Sequence, residues 1–479
     1  MSAPLLLSIV LGYFLLLLAV AWRTSRRADN EGFFIGNRRS PWWLVAFGMV
    51  GTSLSGVTFI SVPGTVAGGA FGYLQVVLGH VLGYAIVAFV LLPLYYRSGL
   101  TSIYRYLGDR FGPVSHRTGA GIFIVSRTLG ATARLYLVVR VLQDMLLDRL
   151  GVPFWLSAAV LILMIVLYTL EGGVRTIVWT DTLQTAGMLA GLFVCVAFLL
   201  WRLDLTPLQA LGRMQDLGLA TVFGTDPNSR NWWGKQVLAG VFIAVAMTGL
   251  DQEMMQKNIS VARLRDAQKN MLVMSLVLLA VVALFLFLGA LLVMFAPSVG
   301  LAATGDRLFP AVVLGHLPGW VQVLFILALI SALFPSADGA LTALTASTCI
   351  DLLRLPQRPG WTEAQQTRRR KQVHLAFAGL FLGLVLAFRA LDDASMVGLI
   401  LKLAGYTYGP LLGLFAFGLL STRRPREAWV PVVALAAPTL CALVDAHQAW
   451  LFGPWQVGLE LLLLNAAFTM AGLRLASHR

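Results

Sequence analysis

Thirteen apolar segments, most of 18 residues or more, run along this 479-residue chain with short polar loops between them. About 20 apolar residues in a helix cross the ~30 Å hydrocarbon core of a bilayer. Inside that core every backbone N–H and C=O must find a partner within the protein, so a chain of long apolar runs folds as membrane-spanning helices. Composition agrees: 58% of residues are hydrophobic and 12% charged, too apolar for a soluble protein of this length. The expected class is an all-α polytopic membrane protein with one transmembrane domain over residues 1–479. Cys195, Cys349 and Cys441 all fall inside apolar segments without metal-ligand spacing, and read as small core residues rather than disulfides or a metal site.

The segments lie at about 4–22, 42–66, 72–96, 118–139, 153–170, 176–201, 236–256, 271–297, 319–350, 373–388, 395–419, 428–444 and 455–473. The first has no basic residue before it and Arg23, Arg26 and Arg27 after it, the reverse of a secretory signal. It reads as a retained span with its N-terminus outside. On that orientation 25 of the 36 Lys and Arg residues fall in cytoplasmic loops, Lys257 among them, and 7 in outer loops. This asymmetry predicts a multi-pass plasma (inner) membrane protein with a cytoplasmic C-terminus. The run Arg368–Lys371 then reads as an orientation signal beside anionic headgroups, not as a nucleic-acid patch. No large soluble module is expected, since the longest loop is about 202–235 and the chain stops soon after the last segment.

Polar residues at membrane depth carry the functional signal. Segment 331–354, SALFPSADGALTALTASTCIDLLR, places Asp338, Thr342 and Thr345 on one helical face. A carboxylate at the bilayer centre costs at least ~2.5–3.5 kcal/mol, which is normally tolerated for an ion or substrate path. Pro335 cannot donate to the carbonyl of Ser331, so backbone oxygen stands free beside the oxygens of Ser336 and Asp338, as a hard-cation site requires. The alternative is a kinked helix whose hydroxyls bond its own carbonyls.

The second segment is rich in Gly, Ser and Thr and contains Pro63, which predicts an unwound stretch lining a wet cavity; a close-packing face of small residues is the alternative. Two interrupted spans, one in each half of the chain, point to the central site of a transporter. Arg127 and Arg134 share a face of the fourth segment, and Arg134 is more than two turns from either end, whereas Arg127 is near enough to the inner end to snorkel. Asp181 is embedded in the sixth segment, Asp251 sits at the inner end of the seventh as a gate or coupling residue, and Lys402 is the remaining basic residue within a span. Asp181 and Asp338 are expected to have no lysine nearby, which leaves a cation or a proton to neutralise them.

Six stretches in order, FFIGNRRSPWW, YRYLGDRFG, GGVRTIVWTDTLQ, GLDQEMMQK, SADGALTALT and GYTYGPLLGLF, resemble the sodium/solute symporter family. That family includes sodium-coupled transporters of sugars, proline, monocarboxylates, iodide and sialic acid. The resemblance implies a leucine-transporter-type core of two inverted five-helix repeats over 42–419, with one extra span at 4–22 and two at 428–473. It implies a sodium site built from the carbonyls of Gly51, Leu54 and Ala332 and the hydroxyl of Ser336; a second hydroxyl usual in the family is replaced by Pro335. Some sialic-acid members have a second sodium site on the carboxylate matched by Asp181. Here Asp338 and Gly339 stand where those members carry hydroxyls, which implies a site for a second cation or a proton at Asp181 and Asp338. Ser53, Ser55 and Thr58 match substrate-contacting positions, and Arg134 or Arg127 matches an arginine that binds the substrate carboxylate.

The expected function is sodium-coupled import of a small organic solute, an anion such as sialic acid or another carboxylate, by alternating access. A neutral sugar or amino acid is the alternative substrate. The coupling sodium, the solute and the bilayer are the expected partners, with no organic cofactor, nucleic acid or obligate protein partner. A channel would need a filter-like segment, and an embedded enzyme a constellation such as HExxH, GxSxG or paired CxxC; the sequence has neither.

Overall fold

The computed structural model describes residues 3–25, 30–390 and 396–477, so Arg26, Arg27 and Arg479 of the charge count lie outside the described residues. Among the described residues there is no strand, only isolated bridges between Gly224 and Trp232 and between Pro425 and Ser477. The principal helices are α1 (Ala3–Ser25), α2 (Trp42–Ser53), α3 (Gly56–Gly69), α4 (Tyr73–Arg97), α5 (Pro113–Leu142), α6 (Phe154–Arg202), α7 (Trp233–Gly249) and α8 (Gln252–Ile259). They continue as α9 (Leu264–Phe295), α10 (Leu308–His316), α11 (Gly319–Ser347), α12 (Glu363–Phe388), α13 (Met396–Leu420), α14 (Val430–Ala446) and α15 (Leu461–Leu475).

At 1.5 Å per residue the 49 residues of α6 would reach about 74 Å, more than twice the hydrocarbon thickness. Gly173 resolves this. Its φ of 51° and ψ of −142° interrupt the helix, and the backbone of Phe33 packs where a Cβ would stand. The two arms correspond to the segments expected at 153–170 and 176–201.

Among the described residues eight helices are long and apolar enough to cross a bilayer, and eleven spans result if each of three bent pairs is one span. Thirteen were expected, and the difference lies in two places. The long α6 is counted once despite Gly173, and α15, at 15 residues, falls below the length test.

Two of the bends organise the bundle. Helices α2 and α3 meet at 56°, α7 and α8 at 65°, and these are the second and seventh spans, five apart as two five-helix repeats require. The first break is where the sequence placed it. The second is not: α11 runs unbroken from Gly319 to Ser347 with Pro335 inside it, and the second interruption falls at Leu250–Asp251. A proline removes one hydrogen bond from a ladder, and neighbouring helices can hold the rest straight. Here they enclose it: 72% of the most apolar window in α11 is buried, against 17% in α1, so α11 is central and α1 peripheral. The helix packs on α5, α6, α2 and α3 at once. Leucines and phenylalanines such as Leu82, Phe89, Leu163, Phe193 and Leu276 stay exposed, as lipid-facing side chains should.

Candidate functional site

The α2–α3 break exposes backbone at the centre of the bundle. Leu54 (φ −90°, ψ 63°) and Ser55 (φ −59°, ψ 171°) leave helical geometry. Leu54 N–H bonds the carbonyl of Val50, and the carbonyls of Gly51 and Leu54 receive no backbone hydrogen bond among the described residues. Gly56, one residue past the break, lies against the backbone of Leu333 in α11. That brings the break beside Ala332 and Ser336, both buried. Ser336 Oγ donates to the carbonyl of Leu333 at 3.0 Å, so its lone pairs remain free to face a cation. Oxygen ligands of this kind suit a hard monovalent ion. Ser331 is used differently: its hydroxyl bonds Tyr13 OH at 2.7 Å.

Lys257 corrects the charge reading. The charge pattern expects it in a cytoplasmic loop, yet only 1% of its side chain is exposed. It lies in α8, which the break at Leu250–Asp251 turns into the bundle. Its Nζ is 2.7 Å from Asp181 Oδ2, 2.7 Å from Thr52 Oγ1 and 3.5 Å from Glu253 Oε1. Asp181 therefore has the nearby lysine that the sequence was expected to lack. Asp338 has a different partner, the phenol of Tyr168 at 2.8 Å, and forms no ion pair among the described residues.

Arg127 is also committed. It does not snorkel; its guanidinium is buried, pairs with Glu253, and lies 3.7 Å from Asp251 Oδ2. Asp251 sits at the break itself rather than at an inner end. Its Oδ1 caps α8 through the N–H groups of Glu253 and Met254, and its Oδ2 accepts from Tyr408 OH at 2.7 Å. Glu253 is not among the residues expected from the sequence, and Lys257 is expected only as a loop charge. The signal was present in GLDQEMMQK, where an acid and a base four residues apart stand beside an apolar run.

Arg127 also lines a small cavity of about 120 Å³. Ser53, Ser55, Thr58, Arg127 and Arg134 all line it, together with Tyr73, His80, Tyr84 and Thr248. Arg134 differs from its neighbour Arg127: it makes no ion pair or hydrogen bond among the described residues. Tyr73 and Leu401 also line a second cavity of about 900 Å³, which opens toward the 203–232 loop and carries Arg230, Lys402 and Asp445. Lys402 pairs with Asp445 at 3.0 Å there. Tyr73 and Leu401 are thus common to the linings of the two cavities.

Residues 33–427 match the sodium:solute symporter family. The chain belongs to that family. Among relatives, the human sodium/iodide cotransporter is 26% identical over 399 residues, covering 81% of this chain and 61% of its own length. The human sodium-coupled monocarboxylate transporter 1 is 25% identical, covering 82% and 64%. The sodium/sialic acid symporter of Proteus mirabilis is 23% identical, covering 87% and 84%. This chain thus spans a little over three fifths of the two human relatives. Among solved structures, a substrate-bound, outward-open Na+-coupled sialic acid symporter superimposes with a TM-score of 0.83 at 18% identity, covering 98% of this chain and 97% of that one. A nucleobase-cation-symport-1 family transporter gives 0.59 at 15%, covering 94% and 96%. These likenesses establish a leucine-transporter-type fold.

Proposed function

We infer that the protein is a sodium-coupled symporter for a small organic anion carrying a carboxylate. The observation that carries the substrate class is Arg134. A guanidinium facing a small inner cavity with no protein carboxylate is poised for a ligand carboxylate, which its planar fork can hold through two parallel hydrogen bonds. The hydroxyls of Ser53, Ser55 and Thr58 suit the substrate's remaining polar atoms. The volume of about 120 Å³ favours a short-chain carboxylate; a sugar acid such as sialic acid would require the pocket to widen.

Coupling follows from the shared backbone. Gly51 and Leu54, on the ion side, and Ser53 and Ser55, on the substrate side, belong to one five-residue stretch at the α2–α3 break. A sodium ion that fixes the carbonyls of Gly51 and Leu54 also fixes the hydroxyls presented to the substrate. By linkage each ligand then tightens binding of the other. The loaded core rocks about its broken helices to release both on the opposite side. The larger cavity, lined in part by the 203–232 loop, is placed outward in the plasma membrane because the basic loops are expected on the cytoplasmic side.

The test is uptake by proteoliposomes under an imposed sodium gradient, with short monocarboxylates, sugar acids, neutral sugars and amino acids offered in turn. Saturable, sodium-dependent uptake of a carboxylate is the expected result. Uptake restricted to neutral sugars or amino acids would overturn the anion reading.

A further inference from the structure

Lys257 is a cation surrounded as a bound metal ion would be. Its ammonium contacts a carboxylate oxygen of Asp181, the hydroxyl of Thr52 and, at 3.5 Å, a carboxylate oxygen of Glu253, and Asp181 and Glu253 are themselves 0% exposed. These three ligands come from α2, α6 and α8. Two anionic oxygens and a hydroxyl around one positive charge, shielded from water, are the chemistry of a hard-cation site. Asp181 Oδ1 has no partner among the described residues, so the cage holds more oxygen than the ammonium uses. Thr52 is the chain neighbour of Gly51, and adjacent Cα atoms lie about 3.8 Å apart. The ammonium is therefore beside the break that offers the sodium carbonyls.

We propose that Lys257 is a fixed counter-cation filling a cage that would otherwise bind a second mobile sodium, and that it holds the protein to one sodium ion per transport cycle. The inference rests on the sodium-symporter reading above. A tethered ammonium neutralises Asp181 permanently and cannot be released to the other side, so it contributes nothing to the gradient-driven work of transport. It also repels any further cation from the same oxygens. Taking it away leaves Asp181 buried and uncompensated, a situation a protein relieves by binding a cation. Glu253 remains held by Arg127 in either case.

The experiment counts bound sodium directly, with radioactive sodium and the purified full-length protein, and needs no substrate. The wild-type protein is expected to bind one sodium per chain, with non-cooperative dependence. Lys257→Ala, which empties the cage, is expected to bind two, with a sigmoidal sodium dependence. Lys257→Arg, which keeps the charge, is expected to stay at one. Should Lys257→Ala fail to fold, the double variant Lys257→Ala/Asp181→Asn removes both charges and is expected to fold and again bind one. Two sodium ions on the wild-type protein, or a second ion bound by the double variant, would overturn the proposal. So would an unchanged count in folded Lys257→Ala. A wild-type protein that binds no sodium at all overturns the symporter reading instead, so the two failures are distinct.

Discussion

Gly339 of α11 and Glu253 of α8 share one space. A Cβ at position 339 would stand well inside van der Waals distance of Glu253 Oε1. Glu253 can stand between Arg127 and Lys257 because α11 offers no side chain at that level. The glycine at 339 and the carboxylate on the facing helix are thus two aspects of one packing arrangement.

Gly339→Ala should therefore push Glu253 off its partners. Overpacking of this kind costs about 1–3 kcal/mol, and displaced ion pairs add to it. The variant should melt several degrees lower than wild type in a detergent thermal-shift assay. Shortening the neighbour, in Gly339→Ala/Glu253→Asp, should recover part of the loss. An equal melting temperature for wild type and Gly339→Ala would show that the carboxylate has room to move.

Ser336→Ala removes the side-chain ligand proposed for sodium. The preceding residue, Pro335, offers no hydroxyl to replace it, so two carbonyls at the break and that of Ala332 would remain. Sodium activation of uptake should shift to several-fold higher concentration while the fold survives, since the lost bond to Leu333 is local to one turn. Unchanged sodium dependence would exclude Ser336 as a ligand.

Asp338 differs from Asp181 in having a neutral partner. Tyr168 donates to it, Lys257 does not reach it, and it is fully buried. A lone buried carboxylate calls for a proton or an ion at some stage of the cycle. Asp338→Asn keeps an acceptor for Tyr168 but cannot ionise, so the variant's uptake should lose part of its pH dependence while its sodium stoichiometry stays at one. A wild-type pH profile would make Asp338 structural.

The sequence was most informative where chemistry is local. The Gly- and Ser-rich second span announced its own unwinding, because glycine and proline act on the backbone they belong to. Arg134 was recognisable because its distance from both span ends could be counted. Pro335 misled: its effect depends on what encloses the helix, and α11 is the most enclosed of the eight long apolar helices among the described residues. Lys257 misled more. Its place near the end of an apolar run suited a loop, and only the turn at Leu250–Asp251 carries it inward to Asp181, 76 residues away in sequence. No periodicity within α8 records that meeting.

The two arginines of α5 provide the sharpest separation of roles. Both line the inner pocket, seven residues apart on one face, but Arg127 is neutralised by Glu253 and Asp251 and Arg134 is not. Arg127→Lys should therefore act on the protein itself. It keeps the charge, loses the fork that spans two carboxylates, and should lower thermal stability more than it alters half-saturation by substrate. Arg134→Lys should do the reverse. No protein partner is lost, so stability should hold, while a charged hydrogen bond worth roughly 1.5–3 kcal/mol to a substrate carboxylate weakens or disappears. That range corresponds to an increase of about 10- to 150-fold in half-saturation for a carboxylate substrate. Arg134→Gln should be at least as severe, because the charge goes as well. Measuring melting temperature and concentration dependence of uptake on both single variants resolves the matter. If Arg134→Lys destabilises the protein and leaves anion uptake at wild-type concentrations, its guanidinium is a structural element and the substrate is recognised elsewhere.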